Sequence, residues 1–139
     1  MISEGIFNLI VTNPSVADIV SGGGSPPMYS VHHGSLRKSY TLPAIRMSAV
    51  TTTPIITTDG TAPLLYQRWQ FDSFASTYLD AHRLNDALKD LLTDYAGTLC
   101  EGTVIRSTFL RMELDSPLEE GKAGYVFRCV VDYEFAYEP

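Results

Sequence analysis

The sequence predicts an α+β fold: an antiparallel sheet of about four or five strands, with a long amphipathic helix and a short N-terminal helix packed on one face. Three observations carry this. Tyr125, Phe127, Cys129, Val131, Tyr133, Phe135 and Tyr137 occupy every second position of the last segment, the period of a strand with one buried and one polar face. Ala81, Leu84, Leu88, Leu91, Leu92 and Tyr95 recur at helical spacing, with Asn85, Asp86, Lys89, Asp90 and Asp94 on the other side. Two β-rich runs flank Thr58-Asp59-Gly60-Thr61, and Asp-Gly supplies the positive φ of a hairpin turn. The 139 residues suit a single domain over 1–139. A chain of this size buries about 68% of the surface its unfolded form exposes, enough for a core without disulfides or metal.

Residues 3–12 read as the first helix, with Ile6, Phe7, Leu9 and Ile10 on one side and Ser3 as N-cap. Pro14 stops it, because proline lacks the N–H and clashes with the preceding turn. A short turn follows at Ser15–Val20, and Gly22-Gly23-Gly24-Ser25-Pro26-Pro27 reads as a surface loop. Tyr29, Val31 and His33 alternate with Ser30 and His32 as in a short strand, broken at Gly34. Ala44–Thr53 and Leu64–Phe74 are the strands of a long hairpin with a projecting tip between Pro54 and Pro63. The long helix starts at Thr77, whose pairing with Asp80 resembles a capping box, and Gly97 is placed to end it in the left-handed conformation. Thr103–Leu114 is a further strand, with Arg106, Arg111 and Glu113 among apolar neighbours. Asp115–Lys122 is a loop before the closing strand.

The formal net charge is −6, unevenly spread. Residues 1–57 carry two acids and three bases; residues 58–139 carry fourteen acids and seven bases. No basic stripe runs through the chain, which disfavours a dedicated nucleic-acid binder. Cys100 and Cys129 form no ligand cluster and suit free thiols in a reducing cytoplasm. The start lacks a basic leader, and Ile6–Val11 is too short to span a bilayer.

Chemistry-bearing patterns are sparse. The glycine run has no Lys-Ser/Thr partner and opens no helix, so it is no phosphate cradle. His32 and His33 are adjacent on a strand and point to opposite faces, so they do not chelate one ion together. His82 has no His or Glu at i+4 and reads as a surface or half-buried histidine. No nucleophile signature surrounds Cys100 or Cys129, and Cys129 falls on the apolar face of its strand as an inert thiol. Asp86, Asp90 and Asp94 read as a solvated helix face. The aromatic run at 125–137 lacks the interleaved Lys and Arg of a stacking platform for single strands, so core packing explains it better, with Trp69 and Phe71 as neighbours. No catalytic, cofactor-binding or metal residue is assigned. What remains is a sheet face of mixed charge: Arg68, Asp72, Arg106, Arg128, Asp132 and Glu134. Such a face suits pairing between copies of one chain, through heterologous contacts of the kind closed rings use, and it equally suits a simple solvated face. The loop residues Asp59, Gly60, Glu119 and Glu120 complete the candidate interface.

Several segments together resemble the tail-completion, or tail-terminator, proteins of long-tailed bacteriophages and gene-transfer agents. They are the N-terminal helix, Ser15-Val16-Ala17-Asp18-Ile19-Val20, the glycine break and Leu42-Pro43-Ala44-Ile45. Trp69-Gln70-Phe71-Asp72-Ser73-Phe74-Ala75 then runs into the helix Thr77–Leu92, and Tyr125–Phe135 closes the chain. The resemblance is most specific at Gln70–Leu92 and in the last strand. It implies a homo-oligomeric ring, a hexamer, that caps the tail tube and ends its polymerisation. It also implies docking to a head connector or stopper protein, with DNA passing through the lumen without sequence-specific binding. The implied location is the head–tail interface of the virion, with assembly in the host cytoplasm and no membrane. The family brings no enzyme activity and no cofactor. The alternatives are another head–tail connector or minor tail protein of similar fold and, from a different class, a small ligand-binding α+β domain.

Overall fold

The computed structural model describes residues 2–20, 31–34, 42–57, 60–121 and 124–138. The N-terminal helix α1 spans Ile2–Thr12 and α2 spans Pro14–Val20. Ser3 therefore lies in the first turn of α1 and does not cap it. Pro14, predicted as a stop, is the first residue of α2, where a missing N–H has no helical partner to lose. Asn13 sits between the helices, and its Oδ1 accepts from the Val16 N–H at 3.2 Å.

Strand β1 (Val31–His33) runs parallel to β2 (Ala44–Thr57), which forms a hairpin with β3 (Gly60–Ala75). Helix α3 (Tyr78–Leu92) follows. The two-residue β4 (Gly97–Thr98) then leads into a second hairpin, β5 (Val104–Gly121) and β6 (Gly124–Glu138). The sheet order is β1-β2-β3-β6-β5-β4, and β3 and β6 join the two hairpins from Leu65↔Tyr137 to Ala75↔Phe127.

The α+β class agrees with the sequence; several details do not. Among the described residues the sheet has six strands, not four or five, one pairing is parallel, and there are three helices. The left-handed residue after α3 is Asp94 (φ 59°), while Gly97 sits in β4. A short polar side chain can adopt that conformation in place of glycine. Thr77 caps α3 as predicted, its Oγ1 accepting from the Asp80 N–H at 3.2 Å. Asp115–Gly121, read as loop, continues β5. Register shifts beside Leu110 and Ser116 let the strand absorb residues that break a simple alternation. The Gly22–Pro27 loop, Asp59 and Lys122 lie outside the described residues.

The helices cover one face of the sheet. Ile6, Ile10, Val16, Leu84, Leu88 and Leu92 pack there against Met47, Trp69, Phe71, Val131, Tyr133 and Phe135. Phe71 meets Tyr133 and Phe135 edge to face, each at 6.4 Å between ring centres. Tyr133 OH is 2.8 Å from Thr93 Oγ1, which satisfies a buried hydroxyl at the end of α3. Gly5 is where α1 touches the turn before β5: a Cβ there would lie 2.7 Å from Leu99 Cβ. The opposite face is not the plain polar surface predicted. Asp72, Val130, Asp132 and Ala136 are buried as well.

Candidate assembly surface

The charged residues singled out from the sequence converge on the face away from the helices, and they are paired within the chain. Arg46 and Asp72 are register partners on β2 and β3. Arg46 Nε donates to Asp72 Oδ2 at 2.8 Å, and its Nη2 also reaches this oxygen. Arg128 Nη2 approaches the same oxygen at 3.3 Å from β6, and Gln70 Nε2 donates to Oδ1 at 2.9 Å. Both guanidinium groups lie over the Phe74 ring, at 5.3 and 5.9 Å. Further along, Arg68 Nε and Nη2 hold Asp132 Oδ2 at 3.1 and 2.7 Å. Asp72 is 1% exposed and Asp132 3%, so each carboxylate has exchanged water for cations of its own chain. Arg111 pairs with Glu134 at 2.9 Å and Arg106 with Glu138 at 2.8 Å. Arg46 and Arg111, which complete this network, were not singled out. Their partners are distant in sequence, and only the hairpin registers reveal them.

The loop candidates are less gathered. Gly60 pairs with Thr57 at the tip of the first hairpin, while Asp59 lies outside the described residues. Glu119 and Glu120 are strand residues opposite Val126 and Tyr125. The two hairpins extend past the central pair in opposite directions. β3 continues from Leu65 back to Gly60, about 17 Å at strand rise. β6 begins at Gly124, ahead of its first partner Phe127, so the second tip leaves the sheet at the other end.

Both outer strands leave long edges open among the described residues. β1 covers β2 only at Ile45–Met47, so Ser48–Thr57 has no outer neighbour. β4 covers β5 only at Val104 and Ile105, so Arg106–Gly121 is open on that side. The β2 edge carries no charged residue from Met47 to Thr58, and Val50 is 47% exposed. Phe109, Leu110, Met112 and Leu114 on β5 are exposed too. Between the strands, a trough of 580 Å³ is lined by Thr53, Tyr66, Phe109, Leu110, Arg111 and Glu134. No sequence signal marked these edges, because strand order decides which strands are outermost.

The remaining chemical candidates lie apart from this charged network. His32 and His33 lie in β1, and the His33 ring is 5.8 Å from Phe7. Cys100 is exposed and Cys129 is buried; both are free thiols. Burial, followed by the nearby Asp115 carboxylate, pushes the Cys129 thiol up to about 12. His82 Nε2 lies 3.3 Å from Asp115 Oδ2, and the Tyr78 hydroxyl donates to the same oxygen at 2.8 Å. That hydroxyl bond, more than the imidazole, holds the Asp115 carboxyl below its ordinary range. Asp115 was missed as a partner because its segment read as a loop. No described helix is long and apolar enough to cross a membrane.

No family model matches the sequence, and no curated protein does. The fold, however, is shared with solved structures. A chain from the virion of a native gene transfer agent particle superposes with a TM-score of 0.64, over 96% of this chain and 92% of that one, at 11% identity. A second solved chain superposes with a TM-score of 0.51, over 99% and 97%, also at 11% identity. At such identity the likeness is one of fold, and it extends over nearly the whole length of each chain.

Proposed function

We propose that this chain is a structural, ring-forming subunit of a phage-like particle, and that it serves as a tail-completion subunit. In this reading the ring caps the tail tube and ends its polymerisation. It docks on the head connector, and DNA passes through its lumen. The observation that carries the reading is the pair of sheet edges left open among the described residues. They lie on β2 and β5, at opposite sides of one sheet, so an edge of one copy meets a different edge of the next. Strand addition of this head-to-tail kind continues the sheet from subunit to subunit, and it closes into a ring when the rotation per copy divides a full turn. An uncharged exposed edge is an aggregation hazard in a monomer, and a neighbouring copy removes it.

Two further observations support the reading. The hairpin tips leave the sheet in opposite directions, which gives a ring two different faces, one for the tube and one for the connector. The fold is that of a chain in a gene transfer agent virion. Arg68 and Arg106 keep exposed guanidinium surface beside the candidate interface, while Asp72 and Asp132 brace it from inside.

Sedimentation of the purified protein tests the proposal. The expected mass is a closed multiple of 15.4 kDa, with rings in electron micrographs. A strict monomer at high concentration, with no ring in virions, overturns it. Gold labelling in the particle separates a tail terminator from another connector or minor tail protein.

A further inference from the structure

We propose that His82, Asp115 and Cys129 form a binding site for one zinc ion at the junction of α3, β5 and β6. Asp115 and Cys129 are register partners across the second hairpin, and His82 stands over them from the second turn of α3. Their donor atoms, an imidazole nitrogen, a carboxylate oxygen and a thiol sulfur, all lie within 4.8 Å of one another. His82 Nε2 is 3.3 Å from Asp115 Oδ2, and Cys129 Sγ is 3.6 Å from Asp115 Oδ1. A tetrahedral zinc ion sets N, O and S ligands about 3.3–3.6 Å apart, so His82 Nε2 and Asp115 Oδ2 already stand at that separation, while Cys129 Sγ approaches the other oxygen of the same carboxylate.

The surroundings hold these groups in place. The Tyr78 ring lies against the His82 imidazole, with ring centres 4.2 Å apart, and its hydroxyl donates to Asp115. Phe127 in turn packs edge-on to Tyr78 at 6.0 Å. Ligands oriented by such outer contacts, and mounted on a helix and two strands, need little rearrangement to bind. The donor set selects the ion: calcium and magnesium take oxygen ligands, while sulfur and imidazole together suit zinc. The Cys129 thiol gives its proton to solvent as the ion binds. Thiolate, carboxylate and a doubly charged cation then sum to zero. His82 and Asp115 side chains are 33% and 47% exposed, which leaves an approach for the ion and a fourth position for water.

The test uses the full chain, stripped with a chelator and titrated with zinc chloride alone, then with cobalt chloride as a spectroscopic probe. We expect one ion per chain and a cobalt–thiolate charge-transfer band that persists in C100S and vanishes in C129A. H82A, a change at a half-exposed helix position, weakens zinc binding at least tenfold and keeps the fold, so the test stands even if C129A does not fold. Absence of binding overturns the proposal. So does zinc affinity unchanged in H82A, or a cobalt spectrum that lacks the thiolate band.

Discussion

Arg46 and Asp72 face each other across the first hairpin, Nε to Oδ2 at 2.8 Å, and Arg128 closes on the same carboxylate oxygen from β6. One buried carboxylate therefore ties three strands together. Replacing Asp72 with Asn removes the anion that the Arg46 and Arg128 guanidinium groups share. We expect a loss of about 2–3 kcal/mol, less than the about 3–5 kcal/mol of a fully buried pair, because both arginines keep some contact with water. Urea unfolding of the variant measures it, and a midpoint equal to wild type contradicts the role given to Asp72.

Gly5→Ala is a second stability test. Alanine favours a helix by about 1 kcal/mol over glycine. Here its Cβ would meet Leu99 side-chain atoms and Glu101 Oε1, each at 2.7 Å. Overpacking costs about 1–3 kcal/mol, so the net effect is destabilising, read as a lower thermal midpoint.

The open β2 edge predicts an assembly variant. Val50→Lys combined with Thr52→Lys adds two charges to an exposed, uncharged edge. Surface changes of this kind move stability by about 0.5 kcal/mol or less. They oppose strand addition, because a lysine on an edge strand must give up water when another strand pairs with that edge. Sedimentation should show monomers with a native circular-dichroism spectrum.

The two cysteines should differ in reactivity. With the Cys129 thiol buried and pushed up to about 12, almost none of it is thiolate at pH 8. A thiol reagent should titrate one group per native chain, Cys100, and two in denaturant.

Asp115 gives a pH signature. Its carboxyl is held below the ordinary range in the folded chain, by the Tyr78 hydroxyl first and His82 second. Such a group adds stability that is fully present above the unfolded value of about 4 and is lost as pH falls through the folded value. Stability measured at pH 7 and again near pH 3 should therefore fall more in wild type than in Asp115→Asn.

The sequence made the helix-side core legible because its signals are local. The stripe of α3, the Thr77 cap and the alternation of β6 each lie within one element, and Phe71, Tyr133 and Phe135 meet where those patterns place them. The candidate surface was less legible. The pairings Arg46–Asp72 and Arg68–Asp132 join different strands, so alternation showed those charges leaving the helix side but not that they are buried. The extent of β5 was hidden by Asp115-Ser116-Pro117, which resembles a turn yet is carried through the strand by a register shift. β4 is two residues long and leaves no pattern to find.

The pairing of β3 with β6 sets an order in time. β3 lies before α3 in the chain, yet Leu65 waits for Tyr137 before its second side is covered. During synthesis the first hairpin can form while the strand that completes the sheet is still inside the ribosome. Pairing so distant in sequence closes slowly. A nascent chain thus carries a half-built sheet, and two chains on one messenger run the risk of exchanging hairpins before either is finished. The interval between the release of β3 and the arrival of β6 therefore leaves one side of the first hairpin without its partner strand.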